Sequence, residues 1–247
     1  MDGTFYGETM SGPRRFFVEG VSDVTTVSGE EYNHAVNTLR LRVGDEIILC
    51  DNTEKEYLAS ITQVDKKSFS AKVIEQRVSE CECKNAVTLI CGYLKGDKTE
   101  LVVQKAVELG VKKIVVFSSK FCSAYINDNK LQRLKRVSVE SAKQCGRSIA
   151  PEILYEDTFE KALFHGENAK NKLFACEFVT ENSTSLGKIE GDTAIVVGSE
   201  GGFSVEEAQT AADLSYSTVS LGKRILRAET AAVAITSIVV YLLGELQ

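Results

Sequence analysis

Two hydrophobic rhythms divide the chain. Up to about residue 80, short runs rich in β-branched and aromatic residues occupy 15–19, 47–50, 57–64 and 69–74. Asp51-Asn52 and Asp65-Lys66-Lys67 supply turns between them. A helix starting near Gly29 and running towards Leu39 interrupts the series. Short strands at this spacing predict a small β-barrel. After Lys84 strands and helices alternate. Apolar strands are expected at 87–91, 114–117, 173–175, 194–197 and 218–221, with helices over 130–145 and 228–243. Asp97 with Glu100, and Ser204 with Glu207, have the spacing of capping boxes that open two more helices. Such alternation predicts an α/β domain built on a mainly parallel sheet covered on both faces. The polar stretch 78–85 separates the two, giving residues 1–80 and 81–247 as the expected domains.

Composition narrows the class. The 247 residues are 43% hydrophobic and 26% charged, which excludes a disordered chain. The first dozen residues lack the basic patch and apolar run of a secretory signal. The longest apolar stretch, 231–243, is shorter than the about 20 residues that span a bilayer, and reads as a helix buried nearly all round. Seven cysteines, an odd number, are expected to be reduced thiols in a cytoplasmic protein. Cys81-Glu82-Cys83 lacks a second ligand pair, so no metal and no membrane association are expected. The net charge of −6 conceals a segregation: residues 95–147 carry +7 and residues 148–215 carry −9. A basic segment within an acidic protein is either a phosphate-binding face or a solvated helix surface.

Familiar catalytic arrangements are absent. The two histidines accompany no Gly-x-Ser-x-Gly elbow, and neither a dinucleotide fingerprint nor a P-loop occurs. Two loops near the carboxyl end remain. Gly198-Ser199-Glu200-Gly201-Gly202-Phe203-Ser204 follows an apolar strand, and its glycines permit either a tight turn or close backbone approach to a ligand. Leu221-Gly222-Lys223-Arg224-Ile225-Leu226-Arg227-Ala228-Glu229-Thr230 follows another strand and leads into the last helix. Ligands gather at such carboxyl strand ends, so two loops of this kind can form one pocket, with Leu221, Ile225 and Leu226 suited to an adenine ring. Arg224 and Arg227 are either ligand contacts or partners of Glu229 or Glu200.

These two loops resemble the RsmE family of 16S rRNA uridine N3-methyltransferases, of the SPOUT class. Lys95-Gly96-Asp97-Lys98, Gln104-Lys105-Ala106, Glu108-Leu109-Gly110-Val111 and Gln144-Cys145-Gly146-Arg147 extend the resemblance upstream. Arg15-Phe16-Phe17-Val18 and Leu39-Arg40-Leu41-Arg42-Val43-Gly44-Asp45 carry it into the first region. The resemblance implies a PUA-like β-barrel followed by a SPOUT domain with a trefoil knot, working as a homodimer. It implies S-adenosylmethionine as cofactor, held by Val197, Gly198, Glu200, Gly201, Gly202, Leu221, Gly222, Ile225, Leu226 and Ala228. The substrate would be a uridine of 16S rRNA, free or in the small ribosomal subunit, with Arg227 and Glu229 as catalytic candidates. Arg14, Arg15, Arg40, Arg42, Lys95, Lys98 and Arg147 would meet RNA phosphates. This chain departs from the family pattern with Ser199 in place of proline, Ala228 in place of threonine, and Asn33 in place of the first of two histidines. Phe121 stands where an arginine is common. The alternatives are a non-catalytic RNA-binding module and a knotted methyltransferase acting on another RNA.

Overall fold

The computed structural model describes residues 12–122, 125–176 and 186–246, so the amino-terminal stretch read for a signal lies outside it. Two compact units emerge. The first takes in the described residues up to Glu82 together with Ala142–Ile149; the second comprises Cys83–Ser141 and the chain from Ala150 onward.

The first unit is built on β1 (Arg14–Phe17), β2 (Val24–Ser28), β3 (Glu46–Cys50), β4 (Lys55–Val64) and β5 (Ser68–Val78), in the order β1-β3-β4-β5-β2. β1 and β3 are parallel and the other neighbours antiparallel. Three inter-strand steps of about 4.8 Å separate β1 from β5. Yet the rings of Phe16 on β1 and Phe69 on β5 are only 6.1 Å apart. The sheet therefore curls on itself, and its inward residues share one core with Tyr32 and Ala35. Those two come from α1 (Gly29–Tyr32) and the π-helical turn Asn33–Thr38 that continues it. The helix stops where Arg40 adopts a left-handed conformation, with φ of 58°.

This unit corrects two of the proposed phosphate contacts. Arg147 is 1% exposed, and its guanidinium donates to Glu82 at 2.8 and 3.1 Å. Arg15 is 13% exposed at its side chain and pairs with the buried Glu56 at 2.7 Å. Each arginine neutralises a carboxylate inside the unit, because a buried charge needs a partner. Arg14, Arg40 and Arg42 are exposed.

The second unit holds a six-stranded, wholly parallel sheet in the order β11-β9-β10-β6-β7-β8. Its strands are β6 (Val87–Gly92), β7 (Lys113–Phe117), β8 (Glu152–Glu156), β9 (Asn171–Ala175), β10 (Thr193–Val197) and β11 (Ser217–Val219). Its helices are α2 (Lys98–Glu108), α3 (Asp128–Cys145), whose last turn belongs to the first unit, α4 (Phe159–Phe164), α5 (Val205–Asp213) and α6 (Ala228–Leu242). β6 has β7 on one side and β10 on the other, so the strand order reverses between β6 and β10. Ligands bind at the carboxyl ends flanking such a reversal.

Local chemistry explains most of these elements. Ser204 and Glu207 form the reciprocal capping box at the start of α5, at 3.2 and 2.8 Å. The box expected at Asp97 does not form. Thr99 Oγ1 instead accepts from the Leu94 N–H at 2.9 Å, and Glu100 pairs with Arg133. α6 is also less buried than its sequence suggests. Ala232, Ile235, Thr236, Val239 and Val240 face inward, while Ile238 and Tyr241 are 38% and 66% exposed. No helix among the described residues is long and apolar enough to cross a membrane.

Candidate active site

A cavity of about 570 Å³ opens at the carboxyl edge of the sheet, on the β10 side of the reversal. One wall is the loop after β10, Gly198 to Phe203, and the other is the loop after β11, running from Ser220 to Ala228. Val197, Gly198, Glu200, Gly201, Gly202, Leu221, Gly222, Ile225, Leu226 and Ala228, the residues expected to hold a cofactor, all line it, as does Arg227. Ala175, Cys176, Val219 and Ala231 complete the lining from the strand ends and α6.

The loop after β10 is held in place from behind. Its Phe203 ring is buried against Phe174, with centroids 4.3 Å apart, and against Phe159 at 5.4 Å. The turn closes when the Gly202 N–H donates to the Ser199 carbonyl at 3.0 Å, and Gly202 takes a φ of +69° that disfavours any side chain. A residue missed in the sequence controls its position. Gly92, at the end of β6, lies so near that a Cβ there would sit 2.5 Å from the Ser199 nitrogen. Its neighbour Cys91 contributes no nucleophile, since burial pushes its thiol up to about 12, with Cys122 adding to the effect.

Charges at the cavity fall into two groups. Lys98, at the first turn of α2, sits 3.2 Å from Glu200 and 3.8 Å from Glu229. Burial acts to raise the Glu200 carboxyl. The N–H groups of Lys95 and of Glu200 itself, and the Lys98 ammonium, outweigh it and hold the pKa below the usual carboxylate range. Lys98 therefore lines the cavity facing Glu200 of its wall, while Glu229, its second partner, is not among the lining residues; Lys95 is exposed. Glu229 meets Lys98 rather than Arg227, and its Oε2 has no hydrogen-bond donor among the described residues. The second group, Lys223, Arg224 and Arg227, is exposed on the cavity rim, with no carboxylate paired to any of them among the described residues. The pairing of Arg224 or Arg227 with Glu200 or Glu229, open in the sequence, is not formed.

Residues 81–240 match the family model of an RNA methyltransferase domain, and residues 27–74 match that of an RNA methyltransferase PUA domain. The ribosomal RNA small subunit methyltransferase E of Mesomycoplasma hyopneumoniae (strain 232) is 33% identical, over 89% of this chain and 95% of the relative. The chain belongs to this family. The Bacillus subtilis (strain 168) member is 29% identical over 92% of this chain and 96% of its own length. Among solved structures, the family member from Neisseria gonorrhoeae bound to S-adenosyl methionine superposes with a TM-score of 0.82. It is 29% identical and covers 94% of this chain and 98% of its own. A methyltransferase of Legionella pneumophila, solved with bound SAM, gives 0.84 at 26% identity, covering 93% and 97%. The protein is thus an α/β RNA methyltransferase with a PUA domain. No cluster of three candidate metal ligands occurs among the described residues.

Proposed function

We propose that the cavity holds S-adenosylmethionine and that the protein methylates N3 of a uridine in 16S rRNA in the cytoplasm. The observation that carries this reading is the cavity itself. Its volume falls in the range for cofactor sites, and two family-matching loops line it with glycine backbone and apolar side chains, with charged side chains at Lys98, Glu200 and the cationic rim. Glycines admit the backbone to close range, and Leu221, Ile225 and Leu226 offer an apolar surface for a purine. S-adenosylmethionine supplies a methyl group already activated on a sulfonium. The remaining work falls to the protein: aligning the acceptor and easing loss of the N3 proton. Arg227, exposed on the rim and unpaired among the described residues, suits stabilisation of the resulting anion. Glu229, paired with Lys98, steadies the wall instead of orienting Arg227. Arg14, Arg40, Arg42 and Lys95 suit phosphate contacts. The α/β domain carries the trefoil knot of the class.

Mass mapping of nucleosides in 16S rRNA from cells lacking the gene tests the reaction. One 3-methyluridine should disappear, and purified protein with S-adenosylmethionine should restore it. An unchanged map would overturn the assignment. Methyl transfer to a transfer RNA instead would support the second knotted-enzyme reading, and RNA binding without cofactor binding would indicate a non-catalytic module.

The proposal includes a homodimer. Ile238 and Tyr241 leave an apolar strip on α6 facing solvent, and a second copy would cover it in an isologous interface of more than about 1,000 Å². Val240, by contrast, is 1% exposed and belongs to the core, so charge placed there would test folding and not assembly. The double substitution Ile238→Glu, Tyr241→Glu is expected to give a folded monomer by sedimentation, with methylation reduced at least tenfold. Wild-type protein sedimenting as an active monomer at micromolar concentration would refute the dimer.

A further inference from the structure

The connection after β7 leaves the sheet at the same carboxyl edge as the cavity loops, because the sheet is wholly parallel. Its first turn is fastened to the loop after β10 at several points. Ser119 Oγ lies 3.2 Å from Ser199 Oγ. The Lys120 N–H donates to Glu207 Oε1 at 3.1 Å, while the other oxygen of that carboxylate caps α5. Within the turn the Cys122 N–H donates to the Ser119 carbonyl at 3.0 Å, and the Ser119 N–H donates to Cys122 Sγ at 3.2 Å. All these bonds use backbone or polar groups of neighbouring residues, and none uses the side chain of Phe121.

Phe121 rests its backbone and Cβ on Gly201, where a methyl group would come within 2.5 Å of that Cβ. The residue remains 45% exposed. A phenylalanine on a rigid turn, left open to water beside a glycine that lines the cavity, contributes little to the core. Isolated exposed apolar residues are ordinary. The surroundings distinguish this one. Lys120 Nζ lies 5.9 Å from the ring centroid and 3.4 Å from Glu206 Oε2, but both side chains are mostly exposed, at 60% and 76%, and so open a pair is worth little and yields to a phosphate. Tyr125, further along the same connection, is 79% exposed. Aromatic faces with adjacent cations are what proteins offer to unpaired RNA bases, which stack on the ring while the cation meets the phosphate.

We propose that Phe121 is a stacking platform for an unpaired base of the RNA presented to the cavity, with Lys120 at the adjoining phosphate. The inference rests on RNA being the substrate. It gives this chain a planar contact at the position where arginine is common in the family, since both side chains offer a flat face to a base.

Two experiments on the full chain test it. The sequence contains no tryptophan, so Phe121→Trp introduces a single fluorophore at the proposed contact. Titration with purified 16S rRNA should quench its emission at the RNA concentrations that give half-maximal binding by anisotropy. Binding without quenching would overturn the proposal. In methylation assays Phe121→Ala should raise the KM for rRNA roughly tenfold, in line with the loss of one stacked base, while kcat and S-adenosylmethionine affinity stay within about twofold. Phe121→Tyr should restore the KM and Phe121→Leu should not. Equal rescue by leucine, or a fall in S-adenosylmethionine affinity in every variant, would show that the residue merely packs on Gly201. If the wild-type chain proved unable to methylate rRNA, the reaction would be wrong, and the fluorescence titration would still decide whether Phe121 meets a base.

Discussion

Gly92→Ala is expected to yield a folded protein that binds S-adenosylmethionine at least tenfold more weakly. The backbone of Gly92 has no left-handed conformation to lose, so alanine costs nothing within β6. The added methyl group would instead lie 2.5 Å from the Ser199 nitrogen and 3.0 Å from both the Gly198 carbonyl carbon and the Ser199 Cα. These are backbone atoms, which cannot rotate aside as a side chain would. Either β6 and β10 separate, or the loop at 198–202 moves outward. The paired register of the strands, Val197 opposite Cys91, resists the first. The loop therefore shifts, carrying Glu200 and Gly201 with it. Overpacking of this kind costs about 1–3 kcal/mol. Isothermal calorimetry measures the affinity and a thermal melt measures the fold. Wild-type affinity in a variant of unchanged melting temperature would show that the loop tolerates displacement.

Arg147→Ala should destabilise the protein by about 3–5 kcal/mol, the usual consequence of stranding one member of a buried pair. Both side chains are almost wholly enclosed, at 2% for Arg147 and 4% for Glu82. Glu82 also accepts from the Ser148 and Ile149 N–H groups, each at 3.0 Å, so the carboxylate organises the return of the chain as well as balancing a charge. Removing the guanidinium leaves that carboxylate buried with two neutral donors. Urea unfolding, followed by a probe in the first unit, reads the loss. Any fall in RNA affinity should track the unfolded fraction. Reduced RNA affinity with unchanged stability would return Arg147 to the list of phosphate contacts.

The parts of the molecule legible in the sequence are those written locally. The capping box at Ser204, the glycine loop and the apolar strand preceding it occupy consecutive residues, so pattern alone exposes them. β2 escaped because only Thr25 and Val27 point inward from five residues. β8 escaped because, at the sheet edge, only Ile153 of its five residues is fully buried. The helix box at Asp97 failed for a different reason: its second member is engaged elsewhere, since Glu100 pairs with Arg133 on α3. Residues whose role depends on a distant partner gave no local signal. Arg147 looks like any cation in a basic segment until Glu82, 65 positions earlier, is seen beside it. Gly92 looks like a strand end until the backbone of Ser199 is found against it.

The discontinuity of the first unit bears on how the protein is made. Its residues up to Glu82 leave the ribosome well before Ala142–Ile149, the segment that completes it. Until then Glu82 has no guanidinium beside it, and the contacts of Lys143 with Glu31 and of Ser148 with Thr53 must wait for about 60 further residues of synthesis. At the usual elongation rates that delay is on the order of several seconds. The amino-terminal unit is therefore expected to finish folding late, in step with the α/β unit, and the order of synthesis is not its order of folding. A nascent chain released after Glu82 should be readily cleaved by protease, whereas one extended past Ile149 should begin to resist.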